Sequence, residues 1–210
     1  MVKTNHRKEI MINNLEQIKP LLNFEDEGDF YMLYVLKRKK DQPEGERDNQ
    51  QSVRTIKTYS ISSIDYLEKR WDEIVGLCEM FKARAYIHVQ KQNHNDVSLN
   101  MMVALAQRIQ DGNFNQRNLF DSVVGQIKTR EKRWVVDIDT KDTKELLRVQ
   151  HHVDYCRPHG IDKIETIIPT KNGYHLITKK FDIKTFSEKY PDIDVQKKNP
   201  TLLYYPNSLN

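Results

Sequence analysis

Cysteine is nearly absent from the sequence. Only Cys78 and Cys156 occur, too few for a disulfide framework or a four-cysteine zinc site within the chain, and both are expected to be reduced thiols. Also missing is any apolar run approaching the roughly 20 residues needed to cross a bilayer. The opening stretch, MVKTNHRKEI, lacks the apolar core of a secretory signal, so the expected compartment is the cytoplasm, with no membrane partner. Internal repeats and low-complexity tracts are lacking too. What is present is a chain of 210 residues, 38% hydrophobic and 30% charged. That describes a highly charged globular protein, long enough for one domain or two closely packed lobes. Residues 1–125 carry 18 basic and 18 acidic side chains and residues 126–210 carry 16 and 12, so the whole formal excess of +4 lies in the C-terminal part. Such an excess permits a polyanionic partner and equally suits an ordinary solvated surface.

Along the chain, Ile12, Leu15, Ile18 and Leu22 recur at helical spacing and predict an N-terminal helix. Residues 29–40 and 52–61 read as two strands of a hairpin, joined by a polar tip that contains Pro43 and Gly45. Ser62 and Asp65 form a capping pair for a helix with Ile64, Leu67, Trp71, Ile74 and Cys78 inward. A buried strand follows at 83–89. The next helix, at about 97–110, is expected to turn Leu99, Met102, Leu105 and Ile109 inward and to stop near Gly112. A linking region is expected around 113–130. Beyond it the pattern reads strand 133–139, helix 143–156, hairpin 163–181, short helix 183–190 and a last strand region over 192–205. The fold class is therefore α/β (α+β): a helix plus β-α lobe over 1–125, packed on a β-α-β-β-α-β lobe over 126–210 of ferredoxin-like or RNA-recognition-like kind.

Three local features carry candidate chemistry. Asp137 and Asp139 flank Ile138 directly after the apolar run Trp134, Val135, Val136. Alternate residues of a strand share a face, so both carboxylates project together while Ile138 enters the core. Two such acids repel, and hard oxygen donors of this kind suit Mg²⁺ or Mn²⁺ between them. The plainer reading is a strand end at which Asp139 or Thr140 caps the next helix. The second feature is the polar turn Thr170, Lys171, Asn172, Gly173, followed by Tyr174 and His175. Gly173 allows a tight turn or a close backbone approach, and His175 can donate to phosphate oxygens; the plainer reading is a hairpin with a surface histidine. Third, Asp194 enters a strand-like run after Asp192, a position that many aspartates occupy for local reasons alone.

Taken in order, an apolar run ending in Asp-x-Asp, a small-residue turn with Gly-x-His 36 residues on, and a later strand aspartate resemble the three signature motifs of the archaeo-eukaryotic primase superfamily, over about 130–205. The resemblance implies Asp137, Asp139 and Asp194 as ligands of catalytic Mg²⁺ or Mn²⁺, with Asp192 and Asp182 as rivals for the third place. It implies His175 as the contact to the incoming triphosphate, with Thr170, Lys171 and Gly173 in the same nucleotide-binding turn. The implied activity is template-dependent nucleotidyl transfer by a DNA primase or primase-polymerase, working by two-metal phosphoryl transfer. Its partners are then a single-stranded DNA template and nucleoside triphosphates. Whether a replicative helicase or an accessory priming domain joins them stays open.

Two other functions share these features. An RNA-recognition-like module has the same element order, yet it stacks bases on aromatics where this strand carries acids. A metal-dependent nuclease uses the same acids to cleave, and only products separate it from a polymerase. His151, His152 and His159 cluster around the helix over 143–156, and with no further ligands beside His152 and Cys156 they are read as helix-surface residues.

Overall fold

The computed structural model describes residues 11–42, 53–127, 129, 131–160 and 162–209. Of the expected hairpin tip at 41–51, residues 43–51 lie outside the described residues. Ten strands and six α-helices are assigned among them, arranged as a mixed α+β fold with two antiparallel sheets.

The first sheet has the order β1 (Ile12–Asn13), β10 (Thr201–Tyr205), β4 (Arg84–Ile87), β2 (Asp29–Arg38), β3 (Val53–Ile61), with β5 (Gln92–Asn93) paired to β2 off that path. The second has the order β7 (Ile164–Pro169), β8 (Tyr174–Thr178), β6 (Trp134–Ile138), β9 (Asp194–Gln196). With α5 (Thr143–Tyr155) and α6 (Ile183–Lys189), this second sheet has the chain order β-α-β-β-α-β expected of it. The region 192–205 is not one strand. It breaks at Asn199-Pro200, and β10 crosses to the first sheet, pairing with β1 and β4. Residues 201–205 thus belong with the sheet of the N-terminal segment, although they follow the expected boundary at 125/126.

The alternation of β6 explains how the sheets meet. Trp134, Val136 and Ile138 pack with Leu146, Val149 and Val153 of α5 and Phe186 of α6. Val135 faces the other way, joining Ile168 and Ile177 in the core that also holds Tyr31, Leu33 and Val35 of β2 and the helix α2 (Ile64–Phe81). Arg133 ties the sheets further, its Nε donating to Glu165 at 2.7 Å and its Nη1 to the Leu21 and Val89 carbonyls.

Several local expectations need correction. The N-terminal periodic stretch is not one helix: Ile12–Asn13 pairs with β10, only Leu15–Ile18 is α-helical (α1), and Pro20, lacking an N–H, follows within a 3-10 turn. The α2 cap is Ser63, not Ser62; its Oγ accepts the Tyr66 N–H at 3.0 Å. The helix α3 (His94–Gln110) buries Val97, with Met101, Ala104 and Leu105 partly covered, whereas Leu99, Met102 and Ile109 are exposed. The expected linker at 113–130 contains the helix α4 (Leu119–Gln126), which fills the core beside α3. His152 is a buried ring packed on Phe186 and Tyr190, not a surface residue. Both cysteines are free and buried. Among the described residues no helix is long and apolar enough to cross a membrane.

One buried acid gives a stability prediction. Asp29 is almost fully buried. Burial alone would raise its pKa, but Asn93, the Asp26 backbone N–H and Lys91 overcome this and hold the carboxyl at about 2 against an ordinary 3.8. Because the folded pKa is the lower one, the stabilisation is present in full above about pH 4 and is lost as pH falls from there toward 2. Asp29→Asn is expected to cost about 2 kcal/mol at neutral pH and to flatten the acid limb of the stability curve. Urea unfolding of both proteins between pH 2 and 7 checks this.

Candidate active site

The cleft that brings the candidate residues together has a volume of about 350 Å³ and is walled by both sheets. The second sheet contributes Asp137, Asp139, the turn residues Thr170, Lys171 and Asn172, His175 and Gln196. The first sheet contributes Arg38, Arg84, Tyr86 and Leu202, with Lys40 just beyond β2. A larger hollow of about 770 Å³ between α3 and α4 has one acid, Asp96, and no histidine on its walls.

On the second sheet the register sets the geometry. Asp137 of β6 lies opposite His175 of β8 and Asp194 of β9, and directly opposed residues of antiparallel strands share a face. His175 Nε2 is 3.4 Å from Asp137 Oδ1, and its Nδ1 shares a hydrogen bond of 2.9 Å with Thr201 Oγ1 of β10. His175 is therefore a buried, oriented ring and not a surface residue of a hairpin. The hydrogen bond from His175 outweighs burial and, helped by Arg38 and Lys40, holds the Asp137 carboxyl below its ordinary range. Asp137 is thus favoured as an anion by its neighbours His175, Arg38 and Lys40. Asp139 is exposed on the same cleft.

The turn before His175 is built by its own residues. Thr170 Oγ1 accepts the Gly173 N–H at 3.0 Å and the Thr170 N–H donates to the Gly173 carbonyl at 2.8 Å. A Cβ at Gly173 would stand 1.8 Å from the Ile138 carbonyl oxygen and within 2.8 Å of the Thr140 backbone. Gly173 is thus the point where the β7–β8 turn presses on the end of β6, which brings His175 level with Asp137. Asn14 secures the same corner by donating to the Pro169 and Leu202 carbonyls, both at 2.9 Å. Helix α5 is capped by Asp142, not by Asp139 or Thr140.

Opposite the acids stand cations that sequence reasoning missed. Leu36 of β2 pairs with Arg84 of β4, so Arg38, two residues on, and Arg84 enter the same wall. Burial, and after it the charges of Arg38 and Arg84, push the Lys40 ammonium below its ordinary pKa, with Asp41 and Asp139 pulling the other way. Arg84 is almost fully buried, ion-paired to Asp41 and placed over the Tyr205 ring, and its Nε has no hydrogen-bond partner among the described residues. Lys171 donates to the Tyr205 hydroxyl at 2.6 Å.

The candidates for a third carboxylate separate clearly. Asp182 is the N-cap of α6: Oδ1 accepts the Lys184 and Thr185 N–H groups and Oδ2 the Thr185 hydroxyl. Asp192 lies in the turn before β9. Asp194 is the register partner of Asp137, yet its side chain is exposed, accepts from Gln196 at 2.9 Å and does not line the cleft. Among the described residues no three His, Cys, Asp or Glu side chains are gathered tightly enough to hold a metal alone. Two carboxylates do fit Mg²⁺ or Mn²⁺ in the mode in which waters and substrate phosphates complete the shell. No protein-family model, curated protein or solved structure matches the chain.

Proposed function

We propose that this chain is a template-dependent nucleotidyltransferase of primase or primase-polymerase type, taking nucleoside triphosphates in the cleft between its sheets. The observation that supports this reading is that Asp137, Asp139 and His175 share one cleft with Arg38, Lys40 and Arg84 from the first sheet's side and with Lys171 of the β7–β8 turn. A cleft wall carrying Arg38, Lys40, Arg84 and Lys171 suits a polyanion such as a triphosphate. Acids facing that wall suit the divalent ion that accompanies it.

In this reading Asp137 and Asp139 hold Mg²⁺ or Mn²⁺. What the ion supplies when bound is a lowered pKa for an attacking 3′-hydroxyl and neutralisation of charge on the departing pyrophosphate. The arginine guanidinium groups offer flat, fixed forks to phosphate oxygens, and Lys40 and Lys171 offer mobile point charges. His175, held by Thr201 and Asp137, presents a ring N–H in a fixed place. Thr170 and Gly173 act by building the turn that carries His175. The acid pair in this cleft wall favours chemistry over passive binding, in which bases stack on aromatics.

The test is incubation with single-stranded DNA, Mg²⁺ or Mn²⁺ and labelled nucleoside triphosphates, with and without a primer. Template-dependent elongation supports the reading. Shortened template identifies a nuclease, and retention of DNA with no covalent change identifies a binding module.

The carboxylates are expected to rank in a defined order in that assay. Asp137→Ala and Asp139→Ala fall furthest and Asp194→Ala loses less, because its carboxylate reaches the site only by turning away from Gln196. Asp192→Ala is silent. Asp182→Ala lowers the melting temperature by uncapping α6 while sparing activity per folded molecule. A loss at Asp192 that exceeds the loss at Asp194 would show that β9 supplies its ligand from the turn.

A further inference from the structure

We propose that Thr201 is a positioning residue for His175: its hydroxyl donates to Nδ1, fixing the neutral imidazole as the Nε2–H tautomer and aiming that N–H at the Asp137 carboxylate on the cleft wall. Two contacts at opposite sides of one ring carry the argument. Nε2 faces Asp137 Oδ1 at 3.4 Å, and an ionised carboxylate only accepts hydrogen bonds. A lone pair on Nε2 would face a negative charge, so the ring proton belongs on Nε2. Nδ1 is then an acceptor in need of a donor, and the Thr201 hydroxyl stands 2.9 Å away, fully buried. Which nitrogen of a histidine carries the proton is set by the bond the other nitrogen makes.

Thr201 also links the two sheets where the chain crosses between them. It is the first residue of the strand after the crossover, its register partner is Ile87 of β4, and it reaches back to a ring 26 residues earlier. The orientation of His175 is thereby set by the sheet that also carries Arg38 and Arg84. The fixed ring in turn holds the Asp137 carboxylate in place. The use of that pair toward a nucleotide rests on the nucleotide-binding reading above; the hold on the ring does not.

The experiment uses the metal-free full chain with ¹⁵N-labelled histidine, at a pH where the ring is neutral, with the His175 signals assigned by their loss in His175→Gln. Wild type is expected to show a pyridine-like Nδ1 and a pyrrole-like Nε2, as one tautomer. Thr201→Val, nearly the same shape without the donor, is expected to mix or reverse the tautomers, and Thr201→Ser to restore the wild-type pattern. A wild-type proton on Nδ1, or a Thr201→Val spectrum equal to wild type, overturns the proposal. Should Thr201→Val fail to fold, the wild-type tautomer alone decides. In the incorporation assay Thr201→Val is expected to raise the KM for nucleotide roughly tenfold, with a smaller change in kcat and recovery in Thr201→Ser. If the spectra are as expected but neither Thr201→Val nor His175→Ala moves KM, the nucleotide role of His175 fails while the hold of Thr201 on the ring stands.

Discussion

Gly173→Ala is expected to cost about 3 kcal/mol or more, the largest effect expected of an added methyl among the described glycines. The added carbon meets backbone and not a movable side chain: the Ile138 carbonyl oxygen at 1.8 Å and both Thr140 backbone atoms within 2.8 Å. Relief requires the β7–β8 turn to lift from the end of β6. That breaks the Ile138–Tyr174 and Asp137–His175 pairings which define the site, and it disturbs the paired Thr170–Gly173 hydrogen bonds. Where the variant still folds, His175 and Asp137 are out of register, so activity falls with stability. Gly125, with open space around its Cβ position, is the matched control, and Gly125→Ala within α4 is expected to be neutral or mildly stabilising. Denaturant unfolding of the two alanine variants side by side checks the contrast; equal stability would mean that the turn does not rest on β6 as described.

Asp137→Asn is expected to reduce nucleotide incorporation by about a hundred- to a thousandfold, the scale of several kcal/mol of lost charge stabilisation. The change keeps the shape and removes only the charge. Folding is not expected to improve, because the Asp137 carboxylate is a stabilised anion beside His175, Arg38 and Lys40 and is not strained by Asp139. A loss of about 1 kcal/mol is the expected scale for a partly exposed acid of this kind. Melting and incorporation measured on the same preparation separate the two effects. A more stable Asp137→Asn with full activity would contradict both halves of the argument.

The parts of the site that the sequence makes legible are those written within one strand. Two-residue alternation places Asp137 outward and Ile138 inward, and β6 shows that pattern. The hairpin that carries His175 is readable from Pro169, Gly173 and the flanking apolar runs. Features that depend on how strands meet are not legible in the same way. Arg38 and Lys40 sit in the basic run 37–40, but Arg84 lies far along the chain, and the three become one wall only through the β2–β4 register. Net charge hides them too, since residues 1–125 are balanced overall. Thr201 escaped notice because the switch of β10 between sheets follows a break at Asn199-Pro200 that reads equally well as a loop within one strand. The α3 stripe was misassigned because apolar residues occupy nearly every side of that helix: Leu99, Met102 and Ile109 keep helical spacing as well as Val97, Met101 and Leu105 do. Periodicity then fixes the helix but not its rotation. The helix α4 lay hidden in a stretch whose polar beginning, Gly112 to Asn118, reads as a linker.

The most direct measurement is incorporation of labelled nucleoside triphosphates on single-stranded DNA as Mg²⁺ or Mn²⁺ is titrated, for wild type and for Asp139→Asn, whose exposed side chain carries little structural weight. The account predicts that wild-type product rises with metal and vanishes with chelator, and that Asp139→Asn stays near background at every metal concentration while remaining folded. Metal-independent product, or an Asp139→Asn variant as active as wild type, would contradict it.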